Sequence, residues 1–162
     1  MPTTNLSNKL GQEILKYKPS KVFIDVGGLG VGIYDQLISM GHNVTAINFG
    51  EKPDNPDKYF NKRAEMYGRA KQWLDDKPCS INNTDKPTMD ALQADLTSVQ
   101  YGWTNNQQLK LEPKVDLKKR GLPSPDYADA FVLTFAQPVA ATLVHRPNMM
   151  NPVYTDIDWN PF

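Results

Sequence analysis

The chain has 162 residues, with 40% apolar and 22% charged, which is enough for one globular domain with a buried core. Its 18 Lys+Arg balance 18 Asp+Glu, so it lacks the overall basic field of many nucleic-acid binders, although a local patch can serve. Cys79 is the single cysteine, which excludes an internal disulfide, fits a reducing compartment and points to the cytoplasm.

No apolar run approaches the ~20 residues a bilayer needs, so no membrane partner is expected. The N-x-T matches at Asn43 and Asn82 are read as chance. In chain order, Leu6, Leu10, Ile14 and Tyr17 recur at helical spacing and predict an amphipathic helix stopped at Lys18-Pro19. Val22 to Val26 is a continuous apolar run, predicting a parallel strand buried on both faces. Glycines 27, 28, 30 and 32 turn the chain into a helix bearing Ile33, Leu37 and Ile38, which ends at Gly41. Val44 to Phe49 is a second strand, giving an α/β layer with a parallel pair.

Pro53 to Pro56 lead into a long helix with Tyr59, Met66, Tyr67, Ala70, Trp73 and Leu74 expected on its buried side. Residues 78–87 read as loop. Leu92 to Val99 fits either a short helix or a strand, and Leu109 to Glu112 alternates like an edge strand. Val115 to Arg120 is a short basic helix closed by Gly121. The last helix follows Pro123, with Ser124 as N-cap and Pro125 in the first position, and runs to about Ala136. Residues 137–162 hold four prolines and no clear period, and read as a tail or docking segment.

Two acidic features stand out. Asp126 and Asp129 share one face of the last helix. Helix-dipole stabilisation of ~0.3–1 kcal/mol each accounts for Asp126, and less well for Asp129, whose neighbours Ala128, Ala130 and Phe131 are small or apolar. Asp25 lies inside V-F-I-D-V, where a carboxylate must be paired, hydrogen-bonded or coordinated. It also stands at a strand's C-terminal end, where α/β sheets place ligands. One reading satisfies Asp25 with the amides of residues 27–30. The other brings Asp25, Asp126 and Asp129 together as an oxygen cage for Mg²⁺ or Mn²⁺. A third reading takes V-G-G-L-G-V-G as a nucleotide- or methyl-donor-binding turn with Glu51 on a ribose. However, Ile33 stands where the third glycine of G-x-G-x-x-G belongs.

Five blocks in order carry a resemblance: V-F-I-D-V-G-G-L-G-V-G-I-Y-D-Q-L, A-I-N-F-G-E, N-K-R-A-E-M-Y, L-E-P-K and K-K-R-G-L-P-S-P-D-Y-A-D-A-F. From Leu6 to Ala136 the chain resembles the C-terminal nuclease domain of phage terminase large subunits. That resemblance implies a ribonuclease H-like fold over residues 1–136 and a metal-dependent endonuclease cutting concatemeric viral DNA with two divalent ions, Mg²⁺ or Mn²⁺. The implied partners are double-stranded DNA and a portal, small terminase subunit or packaging ATPase domain, in the bacterial host cytoplasm. By position, Asp25 matches the acid of the central strand, and Asp126 and Asp129 match the D-x-x-D opening the last helix. All three are implied catalytic metal ligands. Arg63, Glu65, Glu112 and Lys114 match blocks read as a structural ion-pair set. Lys114, Lys118, Lys119 and Arg120 form a basic cluster for DNA phosphates, the alternative being a solvated helix face.

The chain departs from that family at its start. The family's first catalytic aspartate lies on a strand ahead of the opening helix, whereas here Glu13 is the sole acid before Asp25. The expectation is therefore a truncated terminase, a prophage remnant or one piece of a split gene, lacking the first strands. Without one of three carboxylates, a third of the charge that holds two dications is gone. Two other functions stay open: a non-catalytic remnant that binds a packaging partner, and the nucleotide- or methyl-donor-binding domain.

Overall fold

The computed structural model describes residues 3–76, 81 and 85–139. Cys79, Asn82, much of the expected 78–87 loop and residues 140–162 of the expected tail lie outside the described residues. Helix α1 (Thr3–Tyr17) ends where Lys18 takes a φ of 45° ahead of Pro19. It packs against α2 (Gly30–Ser39). Its buried residues are Ser7 and Gly11, while Leu6, Leu10 and Ile14 are half-buried and Tyr17 is exposed. Small residues set that contact: a Cβ on Gly11 would stand 2.8 Å from His42 Nε2.

Strands β1 (Phe23–Asp25) and β2 (Thr45–Ile47) pair in parallel, with Phe23 opposite Thr45 and Asp25 opposite Ile47. The expected burial of β1 on both faces is not met. All three of its residues are half-buried, because β2 is its sole neighbouring strand among the described residues. The glycine turn after β1 has a steric cause. A Cβ on Gly30 would lie 1.7 Å from the Asp25 carbonyl oxygen, and Gly28 has a φ of 64°. Bare α-carbons let α2 start directly against the end of β1, and the turn is explained without a bound nucleotide.

Helix α3 (Lys62–Asp76) supplies the core's spine. Ile47 of β2, Met66 and Ala70 of α3, and Val132 and Ala136 near the C-terminal end form the buried cluster, with Phe23, Phe49 and Phe131 packed on it. Glu65 is fully buried. It accepts from the Asp54 and Asn55 backbone N–H groups at 3.0 Å each, from Lys62 Nζ at 3.0 Å and from Arg69 Nη2 at 3.2 Å. Four donors offset the desolvation of one carboxylate, and the 51–57 loop is thereby fixed to the helix. Tyr59 is buried as expected, though it precedes α3; Gly68 leaves room for its ring, which a Cβ there would meet at 2.5 Å. Trp73 and Leu74 depart from expectation and lie on the exposed side. The last turns of α3 run past the core, and Trp73 is covered mainly by the rings of Phe131 and Phe135.

The ambiguous stretch 92–99 is helical. Helix α4 (Lys86–Ser98) begins inside the expected loop because the Asp85 carboxylate caps it, accepting from Thr88 N–H at 3.0 Å. The alternating run becomes β4 (Leu109–Leu111), and its antiparallel partner β3 (Tyr101–Trp103) carried no clear sequence signal. The hairpin is tied to the chain ahead of α3 by Leu109 N–H to Lys58 O at 2.8 Å and Phe60 N–H to Leu109 O at 3.0 Å. Helix α5 (Lys114–Lys119) closes at Gly121, whose φ is 76°. Helix α6 (Asp126–Leu133) starts after Pro125 and stops earlier than expected, its last residues passing into a turn that ends at Ala136.

A pair of substitutions tests the account of the glycine turn by chemical denaturation. Gly30→Ala forces a methyl into the Asp25 carbonyl and is expected to cost about 1–3 kcal/mol. Gly32→Ala, also in α2 but facing open space, should be neutral or stabilising by about 0.5–1 kcal/mol.

Candidate functional site

A cleft of about 480 Å³ opens beside the C-terminal end of β1, lined among others by Asp25, Asn48, Arg63, Lys110, Glu112 and Lys114. Asp25 ends β1, and its Oδ1 accepts the Gly27 N–H at 2.9 Å. The backbone thus satisfies part of this carboxylate, and the remainder faces the cleft.

Asp129 lies one turn into α6 and is buried, at 8% exposure. Its Oδ1 accepts from the Tyr67 hydroxyl at 2.9 Å and from Arg63 Nε at 3.4 Å. Lys114 Nζ lies 2.5 Å from Oδ2 as an ion pair, at an angle outside hydrogen-bond geometry. Two cations thus surround one buried anion. Arg63 also donates through Nη1 to the Glu112 carbonyl at 3.1 Å, while its buried Nη2 finds no hydrogen-bond partner among the described residues. Burial, and then the Asp129 charge, raise the Tyr67 hydroxyl above its ordinary pKa of 10.0, with Arg63 opposing. The phenol therefore stays protonated and keeps donating to Asp129.

Asp126 is exposed at the start of α6. Its N–H donates to the Ser124 carbonyl, and no side-chain cap comes from Ser124 or Pro125. The cap comes from α4: Asp95 Oδ2 accepts the N–H groups of Tyr127 at 2.9 Å and Ala128 at 3.3 Å. The sequence reading missed Asp95 because it lies 32 residues from the helix it caps. It passed over Tyr67 as a functional group for a similar reason: its helical period marks it as core, not as a donor to a distant acid.

Lys114 lines the same cleft as Asp25 and pairs with Asp129, which is not itself among the residues lining that cleft. Among the described residues, no three His, Cys, Asp or Glu side chains gather closely enough to hold a metal ion. The expected ion-pair set is present but partnered differently. Glu65 joins Lys62 and Arg69, Glu112 joins Arg120, and Arg63 and Lys114 both meet Asp129. The basic cluster separates accordingly. Lys119 pairs with Asp116 and Arg120 with Glu112, while Lys118 is exposed and Lys114 faces the cleft. No helix among the described residues is long and apolar enough to cross a membrane.

Two measurements check these contacts. In an alkaline absorbance titration, Tyr67 should resist ionisation where exposed tyrosines lose their protons. Above about pH 10, the unfolded chain releases a proton that folded Tyr67 retains, so stability falls as pH rises. Tyr67→Phe should flatten that alkaline decline. Asp95→Ala removes the cap of α6 and should cost about 0.5–2 kcal/mol in denaturant unfolding.

No protein-family model matches the chain, and no curated protein matches it by sequence. Solved structures do match. The nuclease domain of the large terminase subunit gp2 of bacterial virus Sf6 superposes with a TM-score of 0.64 at 23% identity, covering 83% of this chain and 72% of that one. A lysine-to-alanine mutant of that domain with manganese gives 0.65 at 23% identity, covering 82% and 72%. The same mutant with calcium gives 0.65 at 23%, covering 82% and 71%. The chain is an α/β protein with the ribonuclease H-like fold of a phage terminase nuclease domain.

Proposed function

We propose that the chain is a terminase-type nuclease domain that acts on DNA at the cleft beside Asp25. The observation that carries this reading is that, within that fold, the strand-end carboxylate Asp25 lines a cleft together with Lys114, whose ammonium pairs with the buried Asp129. The neighbouring structures with manganese and calcium imply a divalent cation. Magnesium-like ions keep several waters and are held by one or two carboxylates together with substrate phosphates. Asp25 and Asp129 supply hard oxygen donors of that kind, and exposed Asp126 is the third acid of the set. Once bound, such an ion supplies positive charge against the phosphodiester and a more acidic water.

The chain's own residues do the rest. Lys114, half-exposed at the cleft, can bind phosphate oxygens, while Arg63 keeps Asp129 in place behind it. Were a phosphate to draw Lys114 away, Tyr67 and Arg63 would still hold Asp129 through Oδ1, and Asp25 and Asp129 would be the residues to hold a divalent cation. Lys118, Lys119 and Arg120 lie further along α5 and beyond it, where Lys118 is best placed to contact a flanking phosphate. The resemblance also implies an acid and strands supplied by the rest of a terminase, together with packaging partners, in a bacterial host cytoplasm. Neither a nucleotide site nor a purely structural remnant is favoured by the neighbours.

Calorimetry with Mn²⁺ and a plasmid-cleavage assay test this reading. Wild-type chain should bind Mn²⁺, and should nick supercoiled plasmid when the remainder of a terminase supplies the missing acid and strands. Asp25→Asn and Asp129→Asn should each reduce both by on the order of 100-fold, and Asp126→Asn should reduce them less. Cleavage that survives the first two substitutions, or a wild-type chain that neither binds Mn²⁺ nor cuts, would refute it.

A further inference from the structure

The β3–β4 hairpin leaves one strand edge open. Thr104 N–H donates to the Gln108 carbonyl at 2.9 Å, and Glu112 N–H to the Gln100 carbonyl at 2.8 Å. With Gly102 opposite Lys110, this register places the backbone bonds to β4 on residues 100, 102 and 104. The N–H and C=O groups of Tyr101 and Trp103 therefore point away from β4, and none of the described residues bonds to them. The other side of the ribbon is closed, since Leu109 already bonds to the backbone of Lys58 and Phe60. All three residues of β3 are exposed, with Tyr101 at 66% and Trp103 at 64%.

Natural sheets protect such an edge with a lysine, a proline, a bulge or a covering segment. Here residues 99–109 contain no charged residue and no proline, and β3 pairs with β4 in unbroken register. Lys110 lies across from Gly102, so it stands on the face opposite the two rings, with Nζ 4.7 Å from the centre of the Phe60 ring. Lys71, near Tyr101, is paired with Asp75. The edge is also self-complementary. In an antiparallel pair, residues whose backbone groups point across the gap must face each other. Turning a second β3 about a two-fold axis at Gly102 sets Tyr101 opposite Trp103 and Trp103 opposite Tyr101. Both positions have those groups aimed outward.

We propose that β3 is a homodimer interface, at which two copies of this chain pair antiparallel about Gly102. Each Tyr101–Trp103 pair exchanges two backbone hydrogen bonds, and the rings of both copies line up on one face as cross-strand aromatic pairs. Gly102 meets its own copy at the centre, where a Cβ would contact nothing within 4 Å in the single chain. Charge favours this occupant, because an acidic or basic partner would find no counter-charge along β3. Lys110 is separated from its copy by three strand spacings of ~4.8 Å, beyond the ~10 Å screening length at 0.1 M salt. The strand is three residues long, so the dimer is a weak one, with Kd on the order of 100 µM.

Sedimentation equilibrium of the whole chain, in EDTA and without DNA, tests this apart from the nuclease reading. The wild-type chain should pass from monomer to dimer as its concentration rises through that Kd. The amide protons of Tyr101 and Trp103 should become protected from exchange in step. Gly102→Lys and Gly102→Glu each set like charges face to face at the two-fold axis, in space that the fold leaves open. Each should weaken dimerisation about tenfold or more. An equimolar mixture of the two variants should dimerise again, a recovery that misfolding could not produce. A wild-type chain that stays monomeric, dimerisation untouched by both substitutions, or a mixture that stays apart would overturn the proposal. Protection of the two amides in a monomer, independent of concentration, would also overturn it and would assign the edge to the chain's own residues 140–162.

Discussion

A carboxylate at 8% exposure needs partners, and the arrangement around the cleft follows from how Asp129 finds them. Tyr67 and Arg63 reach it from α3, and Lys114 reaches it from the start of α5. Those three contacts join α6 to α3 and to the segment after the hairpin. Replacing Asp129 by a neutral residue would strand two cations, one of them buried, so the acid supports the fold as well as any chemistry. The ion pair with Lys114 differs from the other two contacts. It joins a half-exposed lysine to a buried oxygen and lacks hydrogen-bond alignment, so it is the contact that a competing cation or phosphate can most readily displace.

Glu65 shows the other way to bury an acid. Backbone N–H groups and two cations saturate it, leaving no oxygen turned toward a cavity. Both acids are reached from α3, yet one closes a loop and the other pairs with a lysine that lines a cleft. The contrast separates a purely structural anion from one whose environment can be exchanged.

Much of the scaffold was legible because periodicity and punctuation agreed with the tertiary fold. Val22 to Val26 and Val44 to Phe49 read as parallel strands, the glycine turn read as a strand-to-helix junction, and Gly121 marked the end of α5. The sequence failed where a partner far along the chain decided the outcome. Ser124 has the chemistry of a cap, but Asp95 takes that role from another helix. Trp73 fits the apolar period of α3, but the helix outruns the core there. Strand β3 is three residues long and includes a glycine, and its pairing with β4 defines it more than its own composition does. For the site, residue type marked Asp25 and Asp129, whereas the Tyr67 hydroxyl and the angle of Lys114 are properties of the assembled structure.

The borrowed cap on α6 sets a limit on how this region can be divided. The stretch from α5 to α6 holds an acid, its cations and a helix, and looks like a portable cassette. Grafted onto another scaffold without α4, it would leave the amides of Tyr127 and Ala128 unanswered, and the first turn that positions Asp129 would fray. Any minimal fragment meant to preserve the acid's orientation has to begin upstream of residue 85.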